Sequence, residues 1–297
     1  MKKISLFLFL FLLFFYSQGQ KRSVDYKTSL TGFAASRNTL PFWAINNKHG
    51  LIPNGHGALL EIGLFSDFAN RHKIQFAYGV SVAGFLSRPD NNLILDQLYA
   101  SARWRNLRLD LGMIHPEEEY RGISSTNGNF IRSGNARTFP GYNLNSEYMK
   151  IPCTQGILSI KFNWADYMMI DDRYVKDTRL HNKSVFLKIN PHQRWEINVG
   201  LDQWAQWAGT SPDRGKQPSS FHDYLRIVCA KEGGIGASVS DSINALGNHL
   251  GREHLAINYL ADNYTLSFYH DIPFEDGSGT DFRSFPDGTY CLYYGSQ

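Results

Sequence analysis

Acidic side chains are the residues of this sequence that could catalyse a reaction. A glycosidase needs two carboxyl groups at a fixed separation across a sugar, and Asp202 with Glu275 could supply them. No spacing marks these two residues as a pair, and such carboxylates more often form ion pairs with arginines, here Arg108 or Arg137. We therefore expect that the protein is not an enzyme.

Tryptophans are the residues that could bind a carbohydrate. Residues 203–209 contain Trp204 and Trp207 beside Gln203 and Gln206. Tryptophan faces stack on sugar rings and nearby amides can bond hydroxyl groups, so this composition suits a carbohydrate-binding surface. An aromatic girdle at strand ends explains the same residues equally well, and both interpretations stay open.

Metal-binding patterns are weak throughout the chain. Residues 276–281 offer oxygen ligands and glycines but lack the full spacing of a calcium-binding loop, which predicts an ordinary turn. His249 and His254 are five positions apart and flank a glycine, which is not the spacing of a zinc-binding helix. We expect no metal site, and we expect the three widely spaced cysteines to be isolated apolar residues: Cys153, Cys229 and Cys291.

These residues must be positioned by β-strands, because several segments alternate apolar and polar side chains with a period of two. Residues 73–86 alternate over 14 positions, and residues 107–113 alternate leucines with Arg108 and Asp110. Soluble strands average about 5 or 6 residues, whereas a membrane-spanning strand needs about 9 to 11. The tight join at Arg105 and Asn106 is typical of a periplasmic turn. The pattern favours an all-β, antiparallel outer-membrane β-barrel of about a dozen strands over a soluble all-β protein.

Two long segments without periodicity, residues 117–144 and 210–251, interrupt the strands. Within the second, residues 221–231 have the spacing of a short amphipathic helix that ends at Gly233 and Gly234. Both segments carry enough apolar residues to pack inside a barrel. We therefore predict that the loops and the helix plug the lumen, which favours a binding protein over an open pore.

The first residues predict export. Lys2 and Lys3 precede an apolar run over residues 4–15, which indicates a signal peptide, residues 1–19, followed by one barrel domain, residues 20–297. This run is shorter than the roughly 20 residues of a membrane-spanning helix. Without the two lysines the mature chain carries 28 basic against 27 acidic residues, so no electrostatic argument supports nucleic-acid binding.

Several runs of residues, in this order along the chain, carry a family resemblance: SGNAR at 133–137, GLDQWAQWAG at 200–209, DYLRIVCAKEGG at 223–234, NALGNHLG at 244–251 and HDIPFEDGSG from 270. With them the chain, from about residue 57 to its end, resembles the Wzi-type capsule assembly proteins, particularly those of Bacteroidetes. The resemblance implies an outer-membrane β-barrel closed from the inside, which acts as a lectin for capsular polysaccharide or exopolysaccharide at the cell surface. It implies no enzymatic activity and no cofactor.

The expected partners are the polysaccharide and outer-membrane lipid, and the barrel is expected to be monomeric. Two alternatives stay open: an outer-membrane diffusion pore and a secreted all-β glycoside-acting enzyme. Family members are longer, and this chain ends at Gln297 without the terminal aromatic residue typical of complete barrels. We therefore expect that C-terminal strands of the barrel are missing.

Six residues are the expected polysaccharide contacts. They are Asn135, Arg137, Trp204, Trp207, Asn248 and His249. The first two would order the inserted loop or meet acidic sugar groups, the tryptophans would stack on sugar rings, and the last two would supply hydrogen bonds. The alternative for all six is bonding between loop and wall inside the lumen, because a plugged barrel must satisfy many buried polar groups.

Overall fold

The structure is a computed structural model that describes residues 24–35, 39–52, 55–68, 73–86, 93–124, 126, 128–234, 236–238, 241, 243–275 and 282–296. The expected signal peptide, residues 1–19, and the turn predicted at residues 276–281 lie outside these ranges. Within them, neither helix combines the length and the apolar character needed to cross a bilayer.

The described residues form β-strands with two short helices and one 3-10 turn (Tyr120–Gly122). The strands are β1 (Val24–Phe33), β2 (Gly57–Ser66), β3 (Ile74–Phe85), β4 (Leu93–Trp104), β5 (Leu107–Met113), β6 (Gly141–Ser146), β7 (Met149–Lys150), β8 (Leu158–Met168), β9 (Arg179–His192), β10 (Trp195–Trp207), β11 (Thr210–Ser211), β12 (Gly215–Lys216), β13 (Asn248–Leu260), β14 (Tyr264–Phe274) and β15 (Thr289–Ser296). The helices are α1 (Phe42–Ile45) and α2 (Phe221–Val228).

One antiparallel sheet contains nearly all of these strands. Its order follows the chain, β1-β2-β3-β4-β5-β6-β8-β9-β10-β13-β14-β15, with β7 paired beside β8 and with β11 and β12 forming a separate hairpin. Within the described residues β1 and β15 do not pair with each other. Connections at one end of the sheet are short, as at Arg105–Asn106, whereas those at the other end include residues 114–140 and 208–247. We call the second end the long-loop rim.

The polarity of the two faces is the reverse of that in a soluble protein: the enclosed face is polar and the exposed face is apolar. The face that we call inner carries buried polar side chains, among them Ser81, Ser101, Asp110, Asn182, Asp202, Arg252 and Asp271. The face that we call outer carries exposed apolar side chains, among them Leu60, Ile62, Leu64, Leu109, Leu111, Leu144, Val185, Leu201, Leu266 and Leu292. Membrane barrels need this arrangement, because their outer face meets lipid and their interior is polar.

The sheet curls around the first insert, residues 115–138. His115 in this insert contacts Asp96 of β4, with 2.9 Å between its Nε2 and the carboxylate, while Ser124 contacts Tyr269 of β14, 3.0 Å between hydroxyl oxygens. These two strands are the fourth and the eleventh in the strand order. The inner face therefore surrounds the insert, which occupies the lumen side of the sheet as the sequence predicts.

Helix α2 forms where it is predicted but packs on the other face. Ser220 caps it: the Asp223 amide donates to the Ser220 hydroxyl, and the Asp223 carboxylate accepts from the Ser220 amide. Tyr224 of the helix donates to Asp166 of β8, 2.8 Å away. Since the Tyr167 ring of β8 contacts Arg132 of the insert, alternation places the adjacent Asp166 on the outer face.

The prediction that the helix plugs the lumen is therefore wrong. The physical reason lies in the strands, because β8, β9 and β10 carry polar side chains on their outer face near the long-loop rim. Outward polar groups need a cover where the wall meets lipid, and α2 provides it. Phe42 and Trp43, which open α1, are exposed.

Candidate functional site

The first insert is bound to the inner face by buried, charged hydrogen bonds. Asn129 of the insert donates to Asp202 of β10 (3.1 Å), which also accepts from Asn182 of β9 (2.8 Å). Arg252 of β13 donates to the Gly128 carbonyl (2.5 Å) and to Asp271 of β14 (2.8 Å). Bonds to ionised groups are among the stronger hydrogen bonds in proteins, so the insert is a fixed part of the wall.

Aromatic contacts hold the insert against the last two strands. The Tyr120 ring lies 5.2 Å from the Tyr269 ring and 5.5 Å from the Tyr293 ring, measured between centroids. Burial raises the pKa of Tyr120 well above its usual value, with a smaller contribution from Glu119. Tyr120 therefore stays neutral and packs as an apolar ring.

Asn135 and Arg137 tie the insert to the segment after α1. The Asn135 side chain accepts from the Lys48 amide (3.0 Å), and the His49 amide donates to the Gly134 carbonyl (2.8 Å). Gly50 has a φ of +64°, and a Cβ there would lie 2.9 Å from the Asn135 carbonyl oxygen and 3.2 Å from Arg137 Cδ. Both predicted residues thus lie in a close loop-to-loop contact.

A cluster of titratable groups lies beside this contact, around a cavity of about 210 Å³. The His49 and His115 rings stack at 3.7 Å. A register shift in β4 turns Asp96 inward, where it accepts from Ser81 (3.0 Å) and contacts His115. Burial, with a smaller contribution from the neighbouring His115, lowers the pKa of His49 to about 4.

Trp204 lies on the inner face, where its ring is already stacked with side chains of the protein itself. Its ring is nearly parallel to that of Tyr167, with centroids 6.0 Å apart. The Arg132 guanidinium lies over both rings, 5.4 Å from Tyr167 and 5.5 Å from Trp204, an arrangement that gains cation-π energy. This tryptophan binds the insert to the wall.

Trp207 lies on the outer face, because three positions separate it from Trp204 and side chains alternate along a strand. It packs with Ala205, Ile227 and Leu246. It also lines a cavity of about 400 Å³ at the long-loop rim, which we call the rim cavity. The polar residues around this cavity are Thr178, Gln206, Ser211, Arg214, Gln217, Asp241 and Asn248.

His249 lies next to the rim cavity on the outer face of β13, but its ring is buried. Its Nδ1 is 3.0 Å from the Gln203 amide nitrogen and its Nε2 is 2.8 Å from the Leu246 carbonyl. Only 4% of the residue is exposed. Both ring nitrogens are therefore used to hold the start of β13.

The structure thus divides the six predicted residues among three places: a loop contact, an inner stack and the rim. Only Trp207 and Asn248 share a cavity. Sequence reasoning missed Arg214, Gln217 and Asp241. The turn signal Pro212, Asp213, Gly215 could have indicated the β11–β12 hairpin that carries the first of these, while nothing local marks Gln217 or Asp241.

The carboxylates considered for catalysis occupy unlike surroundings. Asp202 is buried among Asn129, Asn182 and Arg252, and Glu275 is exposed just after β14. In the part of the chain that the structure describes, no three His, Cys, Asp or Glu side chains are grouped closely enough to hold a metal ion. The three cysteines are unpaired, and Cys153 and Cys229 are exposed rather than buried.

Comparison with known proteins gives structural similarities only. No protein-family model and no curated protein sequence matches the chain. Wzi, an outer membrane protein involved in group 1 capsule assembly in Escherichia coli and a carbohydrate-binding β-barrel, matches with 14% identity and a TM-score of 0.48. That match covers 87% of this chain and 49% of Wzi, so the chain spans about half of Wzi's length.

Two further solved structures match less well. A mutant porin of Rh. blastica shares 10% identity at a TM-score of 0.36, over 93% of this chain and 90% of the porin. OccK2 of Pseudomonas aeruginosa shares 12% identity at a TM-score of 0.32, over 91% of this chain and 66% of its own. These TM-scores are too low to define the protein, so its class rests on the sheet described above.

The sheet itself defines that class. An antiparallel meander with an apolar outer face, a polar inner face and long connections at one rim is an outer-membrane type of β-barrel sheet.

Proposed function

We propose that this protein is a Wzi-type, lectin-like protein of the outer membrane that binds capsular polysaccharide or exopolysaccharide. The observation that carries the proposal is the rim cavity, which combines one tryptophan wall with amide, guanidinium and carboxylate groups. Its volume of about 400 Å³ lies in the range of ligand pockets. The long-loop rim is the side that faces outward in barrels of this class, where a surface glycan is found.

Arg214 and Asn248 are the groups best placed to select the ligand. Both are exposed and line the cavity, so a sugar carboxylate or hydroxyl can reach them without unfolding the loop. Trp207 contributes an apolar wall from its buried position. Asn135, Arg137, Trp204 and His249 act instead by holding the insert and the rim in shape.

Calorimetric titration of the purified protein with its host's capsular polysaccharide tests the proposal. We expect Arg214→Gln and Asn248→Ala each to weaken binding at least about tenfold, since each removes roughly one charged or neutral hydrogen bond. Arg194→Gln, in the turn at the opposite rim, is the matched control and should bind normally. Binding that neither cavity variant changes, or no binding by the wild type, would falsify the assignment.

The diffusion-pore alternative shares the barrel and its charged inner face, but the bound insert opposes it. Planar-bilayer recording distinguishes the two functions. The lectin proposal predicts no steady conductance, and a stable open-channel current would favour the diffusion pore instead. Export by a signal peptide of residues 1–19, a monomeric state and a role in capsule assembly belong to the same proposal. Terminal sequencing of the mature protein should begin near Gln20.

A further inference from the structure

Polar side chains cluster on the outer face near the long-loop rim, where a membrane barrel would ordinarily be apolar. Asp166 of β8 accepts from Tyr142 (2.5 Å) and Tyr224 (2.8 Å) and pairs with His181 Nδ1 (2.9 Å). Lys183 of β9 donates to the Val228 carbonyl at the end of α2. Uncovered, such groups would be costly beside hydrocarbon, so α2 acts as their cover.

The opposite face of α2 is apolar and exposed. Phe221 is 75% and Leu225 45% exposed, and the exposed Cys229 follows at the same spacing of four. At 100° per residue these three positions form one stripe. His222, which is exposed, and Arg226, which is half-buried and donates to the Glu232 carbonyl (2.6 Å), lie directly beside this stripe. The surface of the helix therefore changes from apolar to polar across these positions.

This stripe continues the apolar outer face of the strands beneath it. Leu144, Val185 and Leu201, on strands β6, β9 and β10, are exposed on the same side of the sheet as α2. The helix is therefore seated where the apolar wall ends and the long-loop rim begins. Lys231, just after the helix, adds a further exposed positive charge at this level.

We propose that α2 is an interfacial helix that binds the phosphate-bearing headgroup layer of the outer leaflet. Phe221 and Leu225 enter the boundary of the acyl chains, and Arg226 and Lys231 meet the lipid phosphates, as basic amphipathic helices do at membrane surfaces. This surface lies on the outside of the wall and does not depend on glycan binding.

Fluorescence quenching in lipid vesicles tests the position of the helix. In a protein whose three cysteines are replaced by serine, an environment-sensitive fluorophore is attached to Leu225→Cys. Leu201→Cys, on the apolar wall, is the control for insertion, and Asp172→Cys, 96% exposed in the loop after β8, is the control for water. The vesicles are phosphatidylcholine with phosphatidylglycerol, and each contains lipid spin-labelled at either a shallow or a deep position of the acyl chain.

We expect the label at 225 to be quenched more by the shallow spin label than by the deep one, the label at 201 by both, and the label at 172 by neither. Removing phosphatidylglycerol should reduce shallow quenching at 225 and leave 201 unchanged. A water-like label at 225 in a protein whose label at 201 is quenched overturns the proposal. An unquenched label at 201 would show that the apolar outer face does not contact lipid, and this result would also overturn the proposal.

Discussion

At the scale of single residues, Arg252 is the charge on which the inner face depends most. It bonds Asp271, which is fully buried, and lies 3.5 Å from Asp202. Arg252→Met would leave these carboxylates without their cation and release the Gly128 carbonyl. We expect a loss of about 3–5 kcal/mol in the free energy of unfolding, measured by urea denaturation in detergent.

Arg194 provides the matched control for that experiment. It pairs with Asp262 across 3.5 Å in exposed turns, where water screens the charges. Arg194→Met should leave the urea midpoint nearly unchanged. Equal losses in the two variants would contradict the central role of the buried network.

The His49 pKa of about 4 predicts a loss of stability in acid. A histidine in the unfolded chain takes up a proton below about pH 6.5, whereas folded His49 stays neutral until about pH 4. Its contribution is therefore present above pH 6.5 and is lost as the pH falls towards 4, by less than about 3 kcal/mol, because solvent screens the half-buried ring.

His49→Phe keeps the stack on His115 and cannot titrate. We expect its urea midpoint to fall less between pH 7.5 and 4.5 than that of the wild type. His56→Phe, at an exposed position, should retain the full wild-type dependence. If His49→Phe loses as much stability as the wild type over this interval, the acid sensitivity has another origin.

At the scale of elements, the sequence predicts the strands of the apolar wall well and those of the rim poorly. The alternation in residues 107–113 gives β5 with its observed bounds, and residues 73–86 give β3 to within one residue at each end. Residues 248–253 show no such alternation although they belong to β13. There the outer face carries His249 and Glu253, which bond loop backbone instead of meeting lipid.

The helical period likewise predicts α2 but not the surface that it covers. That surface is defined by which side of β8 and β9 carries Asp166 and His181, and this depends on strand register rather than on any pattern within the helix. Trp204 and Trp207 show the reverse case. Their spacing of three already places them on opposite faces, so a single stacking platform made of both is excluded by the strand alone.

The hydrogen bond between Tyr224 and Asp166 holds α2 on the outer face of the sheet. Burial and the hydrogen bond to Asp166 raise the pKa of Tyr224 well above its usual value, so it remains a donor at working pH. Tyr224→Phe removes one bond to an ionised group, about 1.5–3 kcal/mol. We expect amide hydrogen exchange across residues 221–229 to accelerate at least about tenfold, while exchange in β5 remains at the wild-type rate. No change in the helix would show that its seating does not rest on this bond.

At the scale of the whole molecule, the apolar outer face predicts different tolerance for charge at two hydrophobic residues that are both more than half exposed. Leu111 on the outer face is 51% exposed and Ile170 in the loop after β8 is 64% exposed. Leu111→Arg should cost up to about 2–4 kcal/mol, which is the cost of an arginine on the lipid face of a barrel at the bilayer midplane, whereas Ile170→Arg should be neutral. Heat-modifiability gels of the two variants in vesicles measure the folded fraction of each. Equal folded fractions would indicate that the outer face contacts water and not lipid.

The insert also has a consequence for the order in which the molecule assembles. It joins Ser124 to Tyr269, 145 positions away, and Asn47 to Ser124, 77 positions away. Contacts between such distant parts of a chain form slowly, because a long loop must close first. Neighbouring strands of the meander are close in sequence, so we expect them to pair first and the insert to bind their inner face as a late step of folding. We therefore expect a hollow folding intermediate, which is filled by the insert only after the strands around it have paired.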